Sequence, residues 1–200
     1  RLGTNSLLDL LVFGKSAGKH IVKFVNEYSG HHEVPADASD RTLARLNQLE
    51  ESKDGIYAQD LANDIRASMQ QHAGVFRTQK SMDEGVLKIN ALREQIGSIG
   101  MKDKSKVWNT ARMEALEVDN LIEVAQATMT SAAARHECRG AHTVDDYERP
   151  ADDAQFPLGR NDKEWLKHTL WYSQNNSLDY KPVNLKPLTV DSVPPKVRTF

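Results

Sequence analysis

Two hundred residues with 39% hydrophobic content can bury a real core in one or two domains. The net charge of −2, with both signs interspersed, excludes a nucleic-acid binder held mainly by phosphate contacts. One cysteine, Cys138, excludes an internal disulfide, and the longest apolar run is short and contains Asp9, so no direct membrane insertion is expected.

The chain opens on helix signals. Asn5 and Ser6 are good N-cap residues, and Ser6 with Asp9 has the spacing of a capping box, so a helix is expected over 6–27. Leu7, Leu8, Leu10, Leu11, Val12 and Phe13 make it apolar nearly all round. Its first turn presents unpaired N–H groups and partial positive charge, the arrangement found behind phosphate, carboxylate or flavin sites. An ordinary capped core helix fits the same residues. Gly14 and Gly18 lie four apart, which allows another backbone to approach closely. Residues 28–38, with Gly30, His31, His32 and Pro35, read as a linker.

A helical region follows. Leu43, Leu46 and Leu49 mark a short helix stopping near Asp54-Gly55. Leu61, Ile65, Met69, Ala73 and Phe76 recur at helical steps through a second. Met82, Val86, Ile89, Leu92, Ile96 and Ile99 form the cleanest stripe, ending at Gly97 to Gly100. Asn109 can cap a long helix to about Arg135, with Leu121, Ile122, Ala125, Met129 and Ala132 inward and Arg135 and His136 placed to favour the helix dipole. One apolar face per helix predicts an antiparallel bundle over 38–136, the most stable part of the chain.

Beyond Glu137 the composition changes: six of seven prolines follow position 149, and no helical stripe continues. Thr169 to Tyr172 and Leu178 to Val183 read as short strands flanking Asn175-Asn176. The rest reads as an irregular extension over 137–200 that needs a neighbouring domain to bury Trp165, Trp171, Tyr172 and Tyr180. The fold class is mainly α.

Candidate chemistry is sparse. His136, Cys138 and His142 suggest a metal, but a structural zinc site wants four ligands and no matching second pair exists, so no metal site is expected. His31, His32, His72 and His168 have no nucleophile or carboxylate partner at local spacing and read as surface or packing residues. Glu114 and Glu117 share a helix face and read as dipole partners.

A resemblance gives these residues a context. Arg1-Leu2-Gly3-x-Asn5-Ser6-Leu7-Leu8-Asp9-Leu10-x-Val12-Phe13-Gly14 resembles the stretch closing the flavin domain of succinate dehydrogenase and fumarate reductase flavoprotein subunits. Further blocks agree in family order. They are Asn109-Thr110, Glu114, Leu116-Glu117 and Asp119-Asn120-Leu121; Arg139-Gly140-Ala141-His142 with Asp146-Tyr147; Trp165-Leu166-Lys167-His168-Thr169-Leu170; and Pro194-Pro195-Lys196-Val197-Arg198-Thr199-Phe200. The closest branch is succinate dehydrogenase; fumarate reductase, an L-aspartate oxidase relative and a stand-alone helical interaction module are the alternatives.

The resemblance implies that residues 1–37 close an FAD-binding domain, 38–136 form the helical bundle and 137–200 the extension. It implies Arg1 as the grip on a dicarboxylate, Ser6 and Leu7 against the FAD ring, and Arg139 to His142 as a structural turn. Succinate would be oxidised, with electrons passing through an iron–sulfur subunit and membrane-anchor subunits to quinone. The implied location is the cytoplasmic face of a bacterial inner membrane, or the matrix face of the mitochondrial one. Cys138 and Val144 depart from the pattern, the latter replacing a frequent arginine. No G-x-G-x-x-G is present, and the family's flavin-linking histidine belongs to an earlier segment, so these 200 residues alone are expected neither to bind FAD tightly nor to oxidise succinate.

Overall fold

The structure, a computed structural model, describes residues 5–28, 30–52, 54–186 and 189–196. The chain divides into two compact units, 1–45 and 46–200.

The first unit is dominated by α1 (Asn5–Glu27). Its start at Asn5 places Ser6 within the first turn, not ahead of it as a cap. Residues on every face are exposed, among them Leu7, Leu8, Leu10, Leu11, Val12 and Phe13. Gly14 and Gly18 meet nothing within 4 Å. The helix ends as Phe24 and Tyr28 stack at 4.5 Å between ring centroids. Exposed residues lead to α2 (Asp40–Glu51), which crosses the division and buries none of its residues.

The second unit holds the core. Helices α3 (Ala58–His72), α4 (Gln79–Glu94) and α5 (Thr110–Ala134) pack against one another. Leu61 and Ile65 from α3 meet Ile89 and Leu92 from α4 and Val118, Ile122, Ala125 and Met129 from α5. This is the apolar stripe read from the sequence, turned inward. Thr78 caps α4 by accepting the Ser81 N–H at 3.1 Å. Asn109 caps α5, accepting the Arg112 N–H at 2.8 Å. Gly85 lets the three helices pack closely, because a Cβ there would lie 2.6 Å from His72 Cβ and 2.7 Å from Met129 Sδ.

Some expectations need correction. Phe76 is 85% exposed and lies outside α3, which stops at His72. Gly74 is the reason: it brings the chain back over the Gln70 carbonyl, where a Cβ would collide, and helical spacing ends there. Ala132 is half buried, while Ala133 is the buried neighbour. The stripe's Ile96 and Ile99 lie past the end of α4, around a short 3₁₀ turn at Ile96–Ser98, although Ile99 still reaches the core.

The tail forms short α6 (Asp162–Trp165) and an antiparallel hairpin of β1 (Lys167–Tyr172) and β2 (Ser177–Pro182), with Thr169 opposite Tyr180 and Trp171 opposite Leu178. Asn176, at φ 50°, makes the turn, and its Oδ1 accepts from Trp171 Nε1 at 2.7 Å and from Thr130 of α5 at 3.2 Å. Trp165 is only 5% exposed, packed by His136 and Tyr180. This tryptophan is therefore buried by its own unit, contrary to the expectation that a neighbouring domain is needed; Tyr172 remains exposed.

Candidate functional site

The expected substrate and cofactor contacts lie at the start of α1. Arg1 falls outside the described residues. Ser6 and Leu7 occupy the first turn, where backbone N–H groups have no helical acceptor. Leu7 is 72% and Leu10 70% exposed, so an apolar ledge stands beside those donors. Such a set fits one edge of a flat, partly anionic ring and leaves its other faces to be covered by other groups.

A second cluster, which the sequence reading missed, binds the tail to the bundle. Glu137 is wholly buried. Its Oε1 accepts from Arg135 Nη1 at 2.8 Å and from Arg139 Nε at 2.7 Å. Its Oε2 accepts from Arg139 Nη2 at 3.0 Å and from the Asn161 N–H at 2.9 Å. Arg139 continues to Asp162 at 2.6 Å, and Asp162 also pairs with Arg160 at 3.0 Å. A buried carboxylate with four charge-assisted or backbone donors is well compensated, so the ion pairs hold geometry as well as charge. The signal was present in the sequence as an acid flanked by arginines at two-residue spacing.

Arg135 was expected to complement the α5 dipole. Instead it leaves the helix axis and donates to the carbonyls of Trp165 and Lys167 at 2.9 and 2.8 Å. It thereby closes the tail's strand onto the helix end. Arg139 to His142 form the anticipated turn, paired through Arg139 N–H to His142 O at 2.8 Å, with Gly140 at φ 61°. Gly140 supplies the left-handed backbone that this tight reversal requires.

His142 ties that turn to the bundle. Arg77 Nη1 lies 3.0 Å from Nδ1, and Nε2 lies 2.9 Å from the Arg135 carbonyl. A guanidinium only donates and a carbonyl only accepts, so the neutral ring carries its proton on Nε2. Burial first, and then the neighbouring guanidinium groups, hold the imidazole pKa below its usual value. Cys138 shares its sulfur with the Val144 N–H and carbonyl, both at 3.3 Å, and Val144 itself is fully buried. His136 stacks on Tyr147 instead. Among the described residues no group of three His, Cys, Asp or Glu is placed to hold a metal ion.

The remaining candidates are structural. His72 is buried, and tertiary packing brings its Nδ1 to 3.3 Å from Ser81 Oγ. His31, His32 and His168 are exposed. Glu114 and Glu117 are exposed too, and the first turn of α5 contains no acid, so the dipole role expected of them does not hold. Among the described residues no helix is long and apolar enough to cross a membrane.

Fold and site together define a mainly α protein with an exposed apolar helix start and a charged cluster that clamps the tail. Residues 62–200 match the family model described as fumarate reductase flavoprotein C-term, and the chain belongs to that family. It is 42% identical over its whole length to the succinate dehydrogenase flavoprotein subunit of Rickettsia bellii, of which it covers 33%. Against the fumarate reductase flavoprotein subunit of Haemophilus influenzae the identity is 32% over 92% of the chain and 30% of that protein. An E. coli quinol fumarate reductase variant superposes with a TM-score of 0.76 at 28% identity, over 97% of this chain and 32% of that one. The chain thus spans about a third of the length of the curated relatives it matches.

Proposed function

We propose that the chain is the carboxyl-terminal part of a succinate dehydrogenase flavoprotein subunit, which oxidises succinate to fumarate. The observation that carries the reading is the 42% identity to a succinate dehydrogenase subunit over the entire chain, against 32% to a fumarate reductase subunit. In this reading residues 1–37 close the FAD-binding domain, and the bundle and extension form its carboxyl-terminal neighbours. When bound, FAD supplies the hydride acceptor.

The chain's own contributions are binding and orientation. The Arg1 guanidinium offers a planar fork of donors that grips a dicarboxylate end in two-pronged fashion and keeps its charge at all physiological pH. Ser6 and Leu7, at the α1 start, would hold the flavin through preorganised backbone N–H groups that favour a partly anionic partner. With FAD bound, Leu7 and Leu10, both exposed in this chain, would cover it from water. An iron–sulfur subunit and membrane-anchor subunits would carry the electrons to quinone, with the subunit peripheral on the inner face of the membrane.

Two measurements test this. The 200 residues alone are expected to purify colourless and without succinate oxidation; a flavin absorption band in the purified chain would overturn the assignment of the flavin pocket to other segments. In the intact subunit, Arg1→Ala is expected to lower kcat/KM for succinate about a hundredfold, on the order of 3 kcal/mol, with flavin content unchanged. Arg1→Lys recovers little, because a point charge on a flexible stem lacks the fork. Near-normal kcat/KM removes Arg1 from the site, and flavin loss in step with activity makes it a structural residue.

A further inference from the structure

Trp108 is 96% exposed, and its φ of 56° lies in the left-handed region that a bulky residue occupies only at a free-energy cost. Such a conformation persists where its surroundings dictate it, and here two clamps do so. Asn109, buried, donates through Nδ2 to the carbonyls of Asp103 at 2.8 Å and Ser105 at 2.9 Å while its Oδ1 caps α5. Lys104 is anchored on the carbonyls of Leu49, at 2.7 Å, and Ser52. Residues 102–108 are therefore pinned in the middle and at the end while the indole is held in water. Val107 and Met113, close by in sequence, are 71% and 58% exposed. Lys102 and Lys106 are exposed as well, and Lys106 has no ion pair among the described residues.

We propose that Trp108 is a docking knob that seats in an apolar recess, rimmed by carboxylates, on the amino-terminal part of the same flavoprotein subunit. The proposal rests on the reading of the chain as part of that subunit. Tryptophan is enriched among binding hot spots, and one carried on a pinned backbone loses little backbone freedom on docking. Lys106, exposed and without an ion pair among the described residues, selects an acidic rim. The chain covers only 33% of the Rickettsia subunit's length, so two-thirds of such a subunit would be tethered to it. Tethering raises effective concentration, so one tryptophan and its neighbours suffice where an untethered protein needs a full-sized interface.

The test compares the 200-residue chain with the intact subunit. Acrylamide quenching of the emission lost in Trp108→Phe is expected to be strong in the former and several-fold weaker in the latter. Trp108→Gly relieves the left-handed strain, so it leaves the thermal midpoint of the 200 residues unchanged or raised; in the intact subunit it lowers it. Equal quenching in both proteins, or a glycine variant with the same sign of effect in both, overturns the proposal. Protection that appears only after adding the iron–sulfur subunit also overturns it and assigns the knob to that partner. An intact subunit without flavin or succinate oxidation sinks the functional reading separately, while Trp108 protection in it still supports docking.

Discussion

The amino-terminal helix and the carboxyl-terminal tail are opposites. Helix α1 is regular through 23 residues, yet Leu7, Leu10 and Leu11 are each about 70% exposed. The tail has little regular structure, yet Glu137 and Val144 are fully buried and Trp165 nearly so. Regularity and anchorage are separate properties. A helix satisfies most of its backbone hydrogen bonds internally, whereas an irregular segment must find partners for its polar groups elsewhere. The tail finds them in Arg135, Glu137, Arg139 and Asn176; the α1 leucines stay exposed among the described residues.

The sharpest way to break this comparison is to remove the tail's central carboxylate. Glu137→Ala removes the buried acceptor that Arg135 and Arg139 share and leaves the Asn161 N–H unpaired. It should cost about 3–5 kcal/mol, read as a lower urea midpoint. Hydrogen exchange should show the loss concentrated in residues 160–172; an even loss across α3 to α5 would mean that tail and bundle unfold as one.

A milder effect comes from pH. The folded His142 pKa lies below its unfolded value of about 6.5, so between those two values the unfolded chain binds the extra proton. The contribution of His142 is therefore full above about pH 6.5 and is lost as pH falls through the depressed folded pKa. Replacing His142 by Gln should flatten the decline in stability below neutrality, measured as the difference between the two proteins' midpoints across that range. Parallel pH profiles would show that the Arg77–His142–Arg135 chain is not what ties the turn down.

The smallest effect is expected in α1. Leu11→Ala in the 200 residues should change stability by less than about 0.5 kcal/mol, because no packed contact is removed. Ile122→Ala in α5, from a fully buried position, should cost about 2–5 kcal/mol. Similar losses at the two positions would show that α1 is covered in solution.

Much of the second unit was legible in the sequence. The three-and-four spacing through Leu61, Ile65, Ile89, Leu92, Ile122 and Met129 is local information, because one helix face must turn away from water. Asn109 as a cap and the strands around Asn175-Asn176 follow from equally local chemistry. The family blocks named the lineage, and the match over 62–200 agrees with them. The sequence by itself determined the helices, the hairpin and the family.

Only the tertiary structure decided which charges meet. Arg135 looked like a dipole partner because it follows a helix; it serves Trp165 and Lys167, whose carbonyls are about 30 residues away along the chain. Glu137 carried no reading from the sequence, and only folding brings the Asn161 N–H to it. Phe76 fitted the α3 spacing until Gly74 turned the chain. Periodicity reports the direction in which a side chain points relative to its own backbone. Burial of charge and exposure of aromatics depend instead on what another segment brings opposite, and that becomes definite only when distant segments pack.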